Sequence, residues 1–257
     1  MKFKIKKKYG QHFLNEKKII DKIIDIQKIT NNDIIEIGPG FGSLTNAIIE
    51  KEPKSLLIIE KDLSFKAHLE NLKKNKFKKL NIVFDDALKL NLKKTSNLKK
   101  VLLIANLPYN IATTLIINWI KYINFFNSIT VMVQKEVADR LVAKVSSKSY
   151  GRLSVLIQLH CKLEKQFDVE PQNFVPPPKV ISSVIKITPL KNINLNYEKI
   201  DQLLKDSFFS RRKKIKNNLL KKYINVEKVF KQNNIDINKR AQDISPKDFL
   251  KITESLS

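Results

Sequence analysis

Four short stretches carry residue types suited to chemistry, and each follows an apolar run. Three of the chain's five glycines fall in Gly38-Pro39-Gly40-Phe41-Gly42. Where a strand turns into a helix, glycine lets the backbone approach a ligand that a Cβ would strike. Glu60 closes the next apolar run, about 20 residues on, where doubly wound folds hold an acid for ribose hydroxyls. Dinucleotide sites use G-x-G-x-x-G with a pyrophosphate on the helix N-terminus. Here the spacing is G-x-G-x-G behind Glu36, a form that suits a phosphate-free ligand such as S-adenosylmethionine. Asp86, at the end of the third apolar run, suits the adenine amine of that cofactor.

The fourth stretch is Asn106-Leu107-Pro108-Tyr109. An exocyclic adenine amine is a poor nucleophile because its lone pair is delocalised into the ring. Two acceptors that favour a tetrahedral nitrogen relieve this. The Asn106 side-chain oxygen and a backbone carbonyl at Leu107 or Pro108 can supply them. Pro108 fixes the turn, and Tyr109 offers a face on which an extruded base can stack. In-line placement of nitrogen against the methyl carbon then does most of the work.

These stretches need a scaffold that brings strand ends together, and the periodicity supplies one. Strands are expected at Asp33–Ile37, Ser55–Glu60, Asn81–Phe84, Val101–Ala105 and Ile129–Val133. Helices are expected at Glu16–Lys28, from a Ser43 cap to about Lys51, and at Leu63–Lys74, Ala112–Tyr122 and Lys135–Lys144. Strands alternating with helices imply βαβ units and a doubly wound, Rossmann-like α/β sheet. Leu153–Leu163 suits either a buried helix or a strand. Val180–Ile187 alternates like a strand after Pro176-Pro177-Pro178. Pro189 and the Asn-rich Lys191–Asn196 resemble a linker. Two domains follow: residues 1–188, an S-adenosylmethionine-dependent methyltransferase domain with a basic arm over residues 1–15, and residues 189–257, a small helical RNA-binding domain.

Composition narrows the setting. At 42% hydrophobic and 29% charged, the chain can bury a sizeable core. No apolar run approaches the roughly 18–20 residues that span a bilayer, and Met1–Lys8 lacks the apolar region of a signal peptide. The lone Cys161 cannot pair within the chain. A cytoplasmic protein without membrane contact is expected. The formal charge of +24 attracts polyanions, although a chain rich in Lys, Asn and Ile together also points to a general compositional bias. Arg is scarce, so Arg211-Arg212-Lys213 beside Phe208 and Phe209 fits a helix that grips phosphates. His12, His68, His160 and Cys161 show no metal-ligand spacing, and no metal is expected.

Taken together, the motifs resemble the KsgA family of ribosomal RNA adenine dimethyltransferases, over nearly the whole chain. Gly10-Gln11-His12-Phe13-Leu14, Ile37-Gly38-Pro39-Gly40 and Asn106-Leu107-Pro108-Tyr109-Asn110 are similar to its N-terminal, cofactor and catalytic blocks. Gln134–Val137, Tyr150–Val155, Phe174–Val180, Ser210–Lys213 and Arg240–Ile244 are similar to further blocks, in order. The resemblance implies cofactor contacts at His12, Leu14, Gly38, Gly40, Glu60, Asp86 and Asn106, and a target adenine between Tyr109 and Phe174. It implies dimethylation of two adjacent adenosines in a hairpin near the 3′ end of small-subunit ribosomal RNA, in an assembling subunit; no feature of the sequence demands more than a monomer. His12 departs from it, since Asn is frequent there. The competing readings are a resistance-type methyltransferase of large-subunit RNA, a DNA adenine methyltransferase, and an assembly factor that acts by binding.

Overall fold

The computed structural model describes residues 10–191 and 195–256. Most of the expected basic arm and part of the expected linker therefore lie outside the described residues. The chain divides into two compact units. One comprises residues up to Ala138 together with Glu164–Pro189; the other comprises Asp139–Leu163 and the chain from Leu190 onward.

The first unit opens with β1 (Phe13–Leu14) and α1 (Lys17–Ile24), whose N-cap Glu16 accepts from the Lys18 amide. The alternation then runs β2 (Asp33–Ile37), α2 (Ser43–Glu50), β3 (Ser55–Glu60), α3 (Lys66–Asn75), β4 (Leu80–Phe84), α4 (Leu92–Ser96), β5 (Val101–Asn106), α5 (Ala112–Ile120) and β6 (Phe126–Gln134). Then follow α6 (Lys135–Leu141), α7 (Arg152–His160), β7 (Cys161–Val169), β8 (Phe174–Val175) and β9 (Ser182–Pro189). Seven strands form one sheet in the order β4-β3-β2-β5-β6-β9-β7. The first five are parallel to their neighbours, and β9 runs antiparallel to β6. The chain leaves β2 first toward β3 and β4, then returns to place β5 on the other side. That reversal makes a crevice at the carboxyl ends of β2 and β5, the usual ligand position in an open α/β sheet.

The strands are apolar because both faces are covered. Ile34, Ile35, Leu56, Ile58, Leu103 and Ile104 are fully buried. One carboxyl lies among them: Glu36 on β2 is 1% exposed and accepts from Thr45 Oγ1 at 2.6 Å. Burial, with the nearby Glu60 charge adding to it and the Thr45 bond opposing it, raises the Glu36 pKa to about 8.

The second unit adds α8 (Tyr197–Ser207), α9 (Ile215–Leu219), α10 (Val226–Gln232) and α11 (Pro246–Ser255) to α7. The stretch at Leu153–Leu163 is both things the pattern allowed, a helix that passes at His160 directly into a strand. Because α7 packs with α8 and α11, residues 139–163 group with the C-terminal helices, whereas the sequence boundary at 188/189 placed them with the sheet. Tyr150 is fully buried there, and its hydroxyl donates to the Ile244 carbonyl at 2.9 Å. Arg152 pairs with Asp201, which also holds Lys205.

Two stability measurements test these buried polar groups. The Glu36 pKa lies above its unfolded value, so the folded chain binds the extra proton. Its contribution is complete at acid pH and is lost as pH rises toward about 8. Glu36→Gln is expected to flatten the fall in stability across that window in urea titrations. Tyr150→Phe strands the buried Ile244 carbonyl and is expected to lower stability by about 1–3 kcal/mol, read as a shifted denaturant midpoint with unchanged slope.

Candidate active site

The cofactor loop is built by positive backbone angles. Gly38, Gly40 and Gly42 have φ of +71°, +54° and +79°. A Cβ on Gly40 would stand 2.6 Å from the Phe13 ring, so only glycine fits beneath that aromatic. Gly42, in the left-handed region, is the N-cap of α2. Ser43, expected as the cap, is instead the first helical residue. The Gly38 amide donates to the Ile59 carbonyl at 2.9 Å. The Gly40 amide donates to Glu60 Oε2 at 3.1 Å, and the Asp62 amide to Glu60 Oε1 at 2.7 Å. Burial raises the Glu60 pKa, while these amide donors oppose the rise.

Several residues that support the loop carried no sequence signal of their own. Phe13, Phe41 and Phe65 meet edge to face, with centroids 4.6–5.8 Å apart. His68 on α3 donates through Nε2 to the Phe41 carbonyl at 2.9 Å. Gln11 donates to Asp62 at 3.0 Å. Phe13 and Gln11 could have been found from their place beside His12 in a motif block. The other contacts join residues far apart in the chain.

At the end of β4, Asp86 receives Lys61 Nζ at 2.7 Å and the Leu88 amide at 3.0 Å. The Lys61 bond is the main cause that holds its carboxyl below the usual range, against a smaller opposing effect of burial. Glu60, Asp85 and Asp86 line the same cleft as Gly38 and Gly40, and Lys61 is engaged with Asp86. That donor set disfavours a pyrophosphate and accommodates a cationic, phosphate-free ligand with a ribose and an adenine amine.

The cleft continues to Asn106, Leu107, Pro108 and Tyr109. Asn106 ends β5, and its Nδ2 donates to the His12 carbonyl at 2.8 Å. That bond fixes the amide and leaves Oδ1 as the acceptor. The Pro108 carbonyl accepts from the Ile111 and Ala112 amides, both at 3.1 Å, which starts α5. Leu107 is anchored through its amide to the Met132 carbonyl at 3.1 Å. The Tyr109 hydroxyl shares a 2.6 Å hydrogen bond with Ser182 Oγ on β9, a partner with no sequence signal. The Tyr109 ring stacks on His12, with centroids 5.5 Å apart and planes 22° apart.

His12 lines the cleft; Leu14 and Phe174 do not. Leu14 faces Phe174 across the β1–β8 pair, and both are core residues, 3% and 2% exposed. Arg211, Arg212 and Lys213 are exposed residues of the other unit, in the turn between α8 and α9 rather than on the expected helix, since α8 ends at Ser207. Arg211 donates to the Lys148 and Tyr150 carbonyls at 3.3 and 3.1 Å. With Arg140, Arg152 and Lys205 it borders a cavity of about 410 Å³. Among the described residues no three His, Cys, Asp or Glu side chains gather to hold a metal ion, and no helix is long and apolar enough to cross a membrane.

Known proteins resemble this chain over most of its length. The ribosomal RNA small subunit methyltransferase A of Ehrlichia chaffeensis is 43% identical over 255 residues, covering 98% of this chain and 97% of that protein. The protein of the same description from Neorickettsia sennetsu is 44% identical over 212 residues, covering 82% and 80%. The crystal structure of a dimethyladenosine transferase from Plasmodium falciparum superposes with a TM-score of 0.82 at 28% identity, covering 94% of this chain and 96% of that one. The 23S rRNA methyltransferase ErmE shares the fold, with a TM-score of 0.71 at 22% identity over 94% and 98% of the two chains. The family described as ribosomal RNA adenine dimethylase matches from residue 2 to residue 257, a span that takes in both the cleft and the helical unit, and the chain belongs to that family.

Proposed function

We propose that the protein dimethylates the N6 amines of two adjacent adenosines in a hairpin near the 3′ end of small-subunit (16S) ribosomal RNA, acting as a cytoplasmic monomer on the assembling small subunit. The observation that carries this reading is Asn106. Its amide is fixed by the His12 carbonyl at the mouth of a cleft whose other end is the glycine loop with Glu60 and Asp86.

When bound, S-adenosylmethionine supplies an electrophilic methyl group. Glu60 would accept from its ribose hydroxyls; a carboxylate offers about four acceptor positions, so the backbone amides already present leave room. Asp86 would hold its adenine amine. Gly38 and Gly40 would give its amino-acid portion close approach, and His12 would contribute backbone at the edge of the site. On the other side, Asn106 Oδ1 and the Leu107 carbonyl receive the two hydrogens of the target amine. They draw its lone pair out of conjugation and hold the nitrogen toward the methyl carbon. The Leu107 carbonyl is favoured over that of Pro108, which two helix amides already occupy. Tyr109, tethered by Ser182, stacks the extruded base. Phe174 stays in the core, where its pairing with Leu14 holds the strand that follows His12.

The helical unit, residues 189–257 with 139–163 packed among them, grips the RNA. Arg212 and Lys213 meet backbone phosphates, while Arg211 ties the turn that carries them to the carbonyls of Lys148 and Tyr150. The small-subunit substrate is that named for the relatives identical at 43% and 44%.

Labelled methyl transfer to unmethylated small subunits, mapped by nucleotide, is expected to give dimethyladenosine at two adjacent positions. Large-subunit RNA and duplex DNA are expected to accept little. Asn106→Ala should lower the rate by about 100-fold or more while the particle is still bound; methylation that survives in this variant refutes the role of Asn106. The double change Arg212→Ala with Lys213→Ala is expected to weaken binding to the subunit and to reduce the slope of log K against log salt by about 2. Cofactor affinity, measured by calorimetry, should stay as in the parent.

A further inference from the structure

His12 makes more contacts than an edge of the cofactor cleft requires. Its carbonyl holds the Asn106 amide at 2.8 Å. Its ring lies on Tyr109. Its Nδ1 stands 2.8 Å from the Pro176 carbonyl, in the loop that follows Phe174. A carbonyl only accepts, so Nδ1 carries the hydrogen and the ring is held in one orientation. The neighbours are equally constrained: Tyr109 is tethered through its hydroxyl to Ser182, which is itself fully buried. One side chain thus links the stacking ring to the proline loop, and its own backbone links both to the catalytic amide.

We infer that the His12 imidazole is a positioning residue of the target-base slot rather than a ligand of the cofactor. This rests on the reading of Tyr109 as the surface on which the base stacks. The imidazole backs the Tyr109 ring from one face and, through Pro176, ties the proline loop to it. The base therefore enters a slot whose walls are already set relative to Asn106 Oδ1. The cofactor end of the cleft is held by other groups, the glycine loop, Glu60 and Asp86, none of which bonds to the imidazole in the contacts described. Asn, with a side-chain N–H near the place of Nδ1, can keep the bond to Pro176 but supplies no ring.

The full-length enzyme and its His12→Ala, His12→Asn and His12→Phe variants separate the possibilities. Three quantities are measured: cofactor Kd by calorimetry, KM and kcat on unmethylated small subunits, and quenching of 2-aminopurine placed at a target position in the RNA hairpin. His12→Ala is expected to leave cofactor Kd within about twofold. It should reduce quenching and lower kcat/KM by about tenfold, within the range of losing one base–aromatic stack. His12→Asn, which keeps the Pro176 bond, and His12→Phe, which keeps the ring, should each recover part of the loss. They also decide the matter should the alanine variant fail to fold. A tenfold rise in cofactor Kd with quenching intact overturns the assignment, as does an alanine variant equal to the parent in all three. If the parent itself transfers no methyl to small subunits, the proposed function fails, and the role of His12 is still decided by cofactor affinity and quenching.

Discussion

Between Ile37 and Ser43 the backbone must turn three times through positive φ while passing under an aromatic ring, and most of the site is arranged around that passage. The Phe13 ring occupies the space a Cβ on Gly40 would need, so any side chain there displaces the ring or the loop. The Gly40 amide is thereby directed at Glu60, which locks the end of β3 to the loop after β2. Phe13 in turn belongs to β1, whose pairing with β8 brings His12 to Asn106 and the proline loop to His12. The glycine-loop end and the Asn106 end of the cleft are joined through this one short strand.

Charge is distributed unevenly around that passage. The chain carries a formal +24, yet the cleft is lined by Glu60, Asp85 and Asp86, with Glu36 buried behind them. A small cation is favoured inside while a polyanion is drawn to the surface, so cofactor and RNA are attracted by opposite signs on one molecule. The raised Glu36 pKa limits the negative charge concentrated behind the loop at neutral pH.

Much of this was legible in the sequence because its signals are local. Apolar runs gave the parallel strands to within a residue or two at several ends, and the glycine spacing and Asn106–Tyr109 marked the ligand end of the sheet. What stayed hidden depends on contacts distant in the chain. Ser182 has no pattern that ties it to Tyr109, and Thr45 none that ties it to Glu36. Ser43 reads as a helix cap because serine usually is one; the left-handed Gly42 takes the position instead. Phe174 reads as a stacking ring beside three prolines, and its pairing with Leu14 places it in the core. The run from Leu153 to Leu163 had no single period because a helix and a strand abut within it.

The order of strands in the sheet bears on when the enzyme becomes complete during synthesis. Strand β9 lies between β6 and β7 although it is made after both, so the sheet keeps an unfilled place until Pro189 has left the ribosome. Ser182, at the start of that strand, is 73 residues beyond the Tyr109 it tethers. The glycine loop waits on a late segment as well, since the strand whose Phe13 ring covers Gly40 pairs with β8 at Phe174–Val175. The Tyr109 ring is tethered only when the late strand inserts. Closure of such a long loop slows folding, and it leaves both ends of the cleft to be completed by segments made late in synthesis.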